Sequence, residues 1–331
     1  MKKALLTGFW AALLMTVLTV PAFAQELIVG GQAVGIQITT EGVLVGGLSA
    51  VETASGSVSP AEDAGLRTGD LIVSVNGRTV SDAAALMDSI AACDEGECLR
   101  IGILRGEKTL TVDVTPAVSD EGRPMLGILL RDGLTGIGTL TFCDPDSGLF
   151  GALGHSINDA QTGLTIPVRE GSITDAQIVS VRPGASGTPG ELSGTSDLGR
   201  TLGAIDRNTE EGIFGFMVEQ LGGRRLETGS IAAGPASILS TVEGRELREY
   251  AVEVNRVYHE SDGTHAMLSV TDAELLQKTG GIVQGMSGSP IIQNGKLVGA
   301  VTHVFVSDPR RGYALSIQDM LRTAGILDQA A

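Results

Sequence analysis

The chain has 331 residues, with 23 Lys and Arg against 39 Asp and Glu, a formal net charge of -16. That acidity excludes a general nucleic-acid binder, which must neutralise phosphates, and argues against adhesion to an anionic membrane surface. A hydrophobic share of 42% with 19% charged residues excludes a disordered chain, and 46 Gly without a collagen period mark tight turns in a strand-rich fold.

Residues 1–24 read as an export segment. Lys2 and Lys3 form a basic start, an apolar run follows from Ala4 to Val20, and Ala22-Phe23-Ala24 is a small-x-small cleavage signal. The same run is close to the minimum for an uncleaved membrane anchor. Cleavage would leave 21 basic against 39 acidic residues, or -18, and would remove Trp10, the only Trp.

Residues 26–116 form one unit. A glycine-rich turn, Gly30-Gly31-Gln32-Ala33-Val34-Gly35, leads to the alternating Ile36-Gln37-Ile38, and Val43-Leu44-Val45 is a second strand. A short helix from Pro60 ends at Gly65, and the strand 71–75 turns at Asn76-Gly77. Ser81 can cap a helix to about Ala92, and two strands follow at 99–104 and 108–114. Cys93 and Cys98 bracket a short polar turn that a disulfide could close outside the cytoplasm, which leaves Cys143 as a buried small hydrophobe.

This unit resembles a PDZ domain of the bacterial protease-associated type. The matching residues are 33–36, the run Ala61-Glu62-Asp63-Ala64-Gly65-Leu66-Arg67-Thr68-Gly69-Asp70-Leu71-Ile72, and Val75-Asn76-Gly77. The resemblance implies that a peptide adds as a strand beside residues 35–38, against the helix 81–92. Backbone amides of the loop Gly31, Ala33, Val34, Gly35 and Ile36 would receive its terminal carboxylate.

Residues 117–123 read as a polar linker, and 124–331 as a second domain of 208 residues (331 minus 123). Short apolar strands recur there between Gly-rich turns, the pattern of a barrel or sandwich. Its tail is helical, with Ser316 as cap and Gly325 as stop.

The sharpest local signal is Gly285-Met286-Ser287-Gly288-Ser289-Pro290, followed by a hairpin that turns at Asn294-Gly295. A nucleophilic serine must stand on a tight turn so that its oxygen projects. The amides of Gly285 and Ser287 can then converge as an oxyanion hole. Ser289 is the rival serine, but Pro290 restricts its backbone. Of the four His, His155 follows an apolar strand and a Gly, which suits a general base. His259 and His265 flank a polar stretch, and His303 lies in the strand after the nucleophile hairpin.

The run 279–306, with Gly154-His155-Ser156-Ile157 and the preceding unit, closely resembles the stage IV sporulation protein B serine peptidases. The resemblance runs from the export segment to the C-terminal helix. It implies a mainly β chain, with the PDZ domain followed by a chymotrypsin-like double β-barrel peptidase domain and a C-terminal helix. It implies Ser287 as nucleophile, His155 as base and Asp272 as the acid, with no metal or organic cofactor. Asp272 lies only 15 residues before Ser287 (287 minus 272), so Asp197, Asp206 and Asp159 stay as rivals, and Asp272 could equally cap a helix. The strand 301–306 is expected to line the substrate cleft, with His303 and Phe305 touching substrate or Phe305 in the core.

The resemblance further implies a sporulation role and self-cleavage near the N-terminus. The enzyme would cut a membrane-associated regulator in the space between forespore and mother-cell membranes and so release intramembrane proteolysis that processes a sigma factor. Membrane proximity would come from the N-terminal segment, and no nucleic acid is a partner. Two other readings stand beside it: a catalytically inactive PDZ peptide-binding adaptor, and a general envelope quality-control protease.

Overall fold

A computed structural model describes residues 25–106, 108–159 and 163–327. The proposed export segment lies outside the described residues. Among those described, no helix is long and apolar enough to cross a membrane.

A short strand β1 (Glu26–Val29) precedes β2 (Ala33–Leu48), one strand of 16 residues. The far end of β2 enters a small α+β unit. This unit contains the hairpin β3 (Val51–Thr53) and β4 (Gly56–Val58), the helical turn α1 (Pro60–Asp63), and β5 (Leu71–Val75) with β6 (Arg78–Thr79). Helix α2 (Ala83–Ala91), β7 (Leu99–Arg105) and β8 (Lys108–Val114) complete it. Asn76 and Gly77 both have positive φ, as the Asn-Gly turn predicts. Asp82, not Ser81, caps α2, its carboxylate accepting from the Ala85 amide at 2.8 Å. The core of the unit joins Val43, Val45, Ile72, Leu86, Ile101 and Ile103.

The expected linker is instead folded. Ala117–Val118 (β9) pairs with Pro124–Met125 (β10), and β11 (Ile128–Cys143) returns as a second strand of 16 residues. Strands β2 and β11 run antiparallel from Ile128↔Leu48 to Thr139↔Ala33, with bulges near Leu129 and Arg131. The PDZ unit is therefore inserted between two strands of the next domain and is not strung before it. Its residues begin at about Val43 and end at about Leu130.

The remaining strands form two barrels. β12 (Leu149–Ala152), β13 (Glu170–Arg182), β14 (Glu191–Thr209) and β15 (Gly212–Met217) close a ring with β2 and β11 in the order β2-β11-β12-β15-β14-β13. Its interior holds Val34, Ile36, Ile38, Phe150, Ile173 and Ile205. After β16 (Arg225–Glu227), the second ring contains β17 (Gly234–Glu243), β18 (Glu246–Glu260) and β19 (Gly263–Val270). Helix α3 (Ala273–Thr279) precedes β20 (Pro290–Gln293), β21 (Lys296–Val304) and β22 (Arg311–Ser316), which close it. Helix α4 (Ile317–Ala324) starts at the predicted Ser316 cap and ends at Gly325 in the left-handed region. Its Met320 and Leu321 join Phe142 and Phe214 of the first barrel to Leu297 of the second. The expected double barrel with a terminal helix is present.

Two expectations need correction. Gly31, Ala33, Val34, Gly35 and Ile36 do not form a peptide-binding loop. Ala33 to Ile36 are a buried wall of the first barrel, paired to residues 136–139 on one side and 173–175 on the other. Cys93, Cys98 and Cys143 are free thiols. Cys143 is the buried hydrophobe expected, its thiol pushed up to about 11 by burial and then by Asp144.

Candidate active site

Ser287 stands on the turn between α3 and β20. Gly288 beside it has a φ of +93°, and a Cβ there would sit 2.1 Å from the Thr139 carbonyl oxygen and 2.5 Å from the Leu153 amide. Only glycine fits, because both atoms are backbone. The first barrel thus reaches the turn at van der Waals limits. Ser287 is half-buried, and its hydroxyl donates to the Thr302 carbonyl at 2.6 Å. Ser289 is fully buried and donates to the Met286 carbonyl at 2.7 Å. That bond makes it a structural serine, inaccessible to substrate.

His155 comes from the other barrel. Leu153, at the end of β12, has a φ of 69°, unusual for a branched residue and costly unless the surroundings impose it. That bend aims His155 between the barrels. Its Nδ1 lies 2.7 Å from the Ser156 carbonyl. A carbonyl only accepts, so Nδ1 carries the proton and Nε2 keeps a lone pair. Burial holds the His155 pKa below its ordinary value, and the Ser156 carbonyl opposes that shift more weakly. The His303 ring stacks on His155 with centroids 4.4 Å apart. Its pKa is pushed down to about 4 by loss of water and then by His155, although part of its ring stays exposed.

Ser287, His155 and His303 line one cleft of about 520 Å³ between the barrels, with Ile137, Leu153 and Val304 among its walls. Phe305 is not in it. That ring leans on Tyr313, and the Arg311 guanidinium lies over it. The amides of Gly285 and Ser287 donate to no acceptor among the described residues, and both residues line the cleft.

Asp272 is not brought to His155. It is the N-cap of α3, with its two oxygens accepting from the amides of Leu275 at 2.9 Å and Ala251 at 3.4 Å. The rivals fare no better: Asp197 and Asp206 are exposed, and Asp159 is buried against Arg131 at 3.1 Å. The carboxylates that do share a cavity with His155 are Glu210, Glu211, Glu260 and Asp262, around about 340 Å³ behind the His155–His303 pair. Among the described residues, no Lys or Arg lines that cavity. A capping role has a measurable consequence. Asp272→Ala should lower unfolding free energy by about 1 kcal/mol, while Asp272→Asn, an equally good cap, should leave the melting curve near wild type. Equal melts for all three proteins would remove the cap from the account.

An unpaired strand edge, the feature to which a peptide could add, lies elsewhere in the sequence. Residues 128–131 of β11 pair on one side with residues 44–48 of β2, and have no strand on the other among the described residues. Helix α2 lies alongside, with Met87 and Leu129 exposed. The amides of Leu126 and Gly127, just before this edge, donate to nothing among the described residues. Gly127 has a φ of +73°, and a Cβ would lie 2.2 Å from the Ser49 carbonyl oxygen. The signal was present as Met125-Leu126-Gly127-Ile128, an apolar run with one Gly opening a strand.

A family model described as SpoIVB peptidase S55 matches residues 122–321, and a PDZ domain model matches residues 47–115. Serine protease HTRA1 of Xenopus tropicalis is 40% identical over 58 residues, 18% of this chain and 12% of that protein. Putative serine protease HhoA of Synechocystis is 39% identical over 59 residues, 18% of this chain and 15% of that protein. The chain thus spans only a small part of these curated relatives. Among solved structures, the PDZ domain of the SdrC-like protein Lmo2051 from Listeria monocytogenes has 28% identity and a TM-score of 0.23, covering 28% of this chain and 90% of that one. The active form of the Rv3671c protease from M. tuberculosis has 13% identity and a TM-score of 0.35, covering 76% and 89%.

Proposed function

Because the chain belongs to the SpoIVB peptidase S55 family, we propose that it is an exported signalling endopeptidase in which Ser287 is the nucleophile and His155 the general base. The observation that carries the assignment is the convergence of both residues, from different barrels, on one cleft that also holds two acceptor-free amides. The Ser287 hydroxyl turns from the Thr302 carbonyl toward His155, gives up its proton to Nε2, and attacks the peptide carbonyl. The oxyanion forms against the Gly285 and Ser287 amides. His155 then protonates the leaving amine, and a water repeats the sequence to free the acyl group. The Ser156 carbonyl, accepting from Nδ1, fixes the tautomer that leaves Nε2 free to take the proton.

The finer reading rests on the family and on the layout of residues 1–24. In it the enzyme acts outside the cytoplasmic membrane, between forespore and mother cell. It cuts a membrane-associated regulator and thereby triggers intramembrane proteolysis and sigma-factor processing, with self-cleavage near its own N-terminus. The PDZ unit takes a peptide, from the substrate or from the enzyme's own chain, along residues 128–131.

A fluorescent peptidyl phosphonate tests the chemistry. The expected result is labelling of the wild type and none of Ser287→Ala. Absence of labelling in both, with the wild type folded, would leave a peptide-binding adaptor as the better description. Digestion of many unfolded proteins would favour quality control over signalling.

A further inference from the structure

We propose that Thr139, on a strand of the first barrel, is a positioning residue for the oxyanion hole of the second. The inference rests on Ser287 being the nucleophile. In a trans peptide the N–H points opposite to the C=O of the same plane, so the direction of each hole amide is set by what holds the carbonyl before it. The Gln284 carbonyl accepts from the Leu192 amide at 2.8 Å, which turns the Gly285 N–H the other way. The Met286 carbonyl accepts from the Ser289 amide at 3.0 Å and the Ser289 hydroxyl at 2.7 Å, which turns out the Ser287 N–H.

The plane between these two sets their angle to one another. It carries the Gly285 carbonyl, which accepts from the Thr139 hydroxyl at 2.8 Å, and the Met286 amide, which donates to the Val283 carbonyl at 3.1 Å. Thr139 grips the turn a second time, its own amide donating to the Ser287 carbonyl at 3.0 Å. Thr139 is 1% exposed, so no bulk water replaces its hydroxyl if that is removed. The half-buried Gly285 carbonyl would then lack its protein donor, and the plane would rotate to find another. A shift of a fraction of an ångström at an oxyanion donor is felt in the rate, not in ground-state binding.

Thr141, two residues on, supplies the control. It is equally buried, and its hydroxyl donates to the Gly288 carbonyl at 2.8 Å. That plane carries the Ser289 amide, which is not part of the hole.

The experiment compares Thr139→Val, Thr139→Ser and Thr141→Val by peptide hydrolysis, inhibition by a peptide aldehyde, and thermal melting. Thr139→Val should lose about tenfold or more in kcat, keep KM within about twofold, and weaken the aldehyde by a factor similar to the kcat loss. Thr139→Ser, which keeps the hydroxyl, should recover to within about threefold of wild type, and Thr141→Val should melt lower yet keep kcat. If the valine variant does not fold, Thr139→Ala, which adds no bulk, takes its place. A wild-type kcat in the hydroxyl-free variant overturns the proposal, as does a serine variant as slow as the valine one. Because phosphonate labelling of the wild type is scored separately, such a result leaves the nucleophile assignment standing.

Discussion

Ser287→Ala and His155→Ala should each lose about 10⁶-fold in kcat on a peptide substrate, and the double variant should lose little more. The two side chains act as one unit: a serine without its base is a weak nucleophile, and a base without the serine has no proton to take. Binding should survive, because the cleft walls and the two hole amides remain. Folding should survive too, since the Ser287 hydroxyl makes one bond, to the Thr302 carbonyl, worth about 1 kcal/mol. The pH profile adds a second readout. His155 works as a base only when neutral, and burial disfavours its charged form. The acid limb of kcat/KM should therefore lie below the ordinary imidazole value of about 6.5, with activity lost as pH falls through the lowered pKa. A limb above that value, or a double variant that loses the product of the single losses, would contradict a buried dyad.

Deleting residues 26–116 should abolish the peptidase fold and not merely its regulation. The cut removes β1 and all of β2, including the half that closes the first barrel, so Ile173 and Ile205 lose Val34, Ile36 and Ile38 as neighbours. Loss of several buried branched side chains at about 2–5 kcal/mol each exceeds the stability of a typical domain. A different excision should be tolerated. Thr39 and Gly133 are opposed across β2 and β11, so replacing residues 41–131 by Asn-Gly would close the two strands as a tight hairpin. That protein should melt cooperatively and label with the phosphonate. Cooperative melting of the 26–116 deletion would show that the barrel does not need β2.

Local signals were legible in the sequence, and long-range partners were not. The Asn294-Gly295 hairpin, the Ser316 cap and the nucleophile turn depend on neighbours within a few residues. The glycine-rich entry at residues 30–35 looks alike whether it opens a PDZ strand or a barrel strand. What decides is pairing with residues more than 90 positions away, such as Ile36 with Gly136 and Ile173. His155 was readable because a strand-ending Leu-Gly-His bend is local. Asp272 shows the opposite case. Its cap signature and its place before Ser287 both fitted, but the fold uses only the cap.

The two strands shared by barrel and PDZ unit also fix a length. A peptide with its terminal carboxylate on the Leu126 and Gly127 amides must run along residues 128–131 toward Thr139, which touches the nucleophile turn. From Gly127 to Thr139 is 12 residues (139 minus 127), or about 40 Å of strand at roughly 3.3 Å each. No flexible tether intervenes to blur the distance. An anchored substrate would be measured as against a ruler, its scissile bond set about a dozen residues back from its own end.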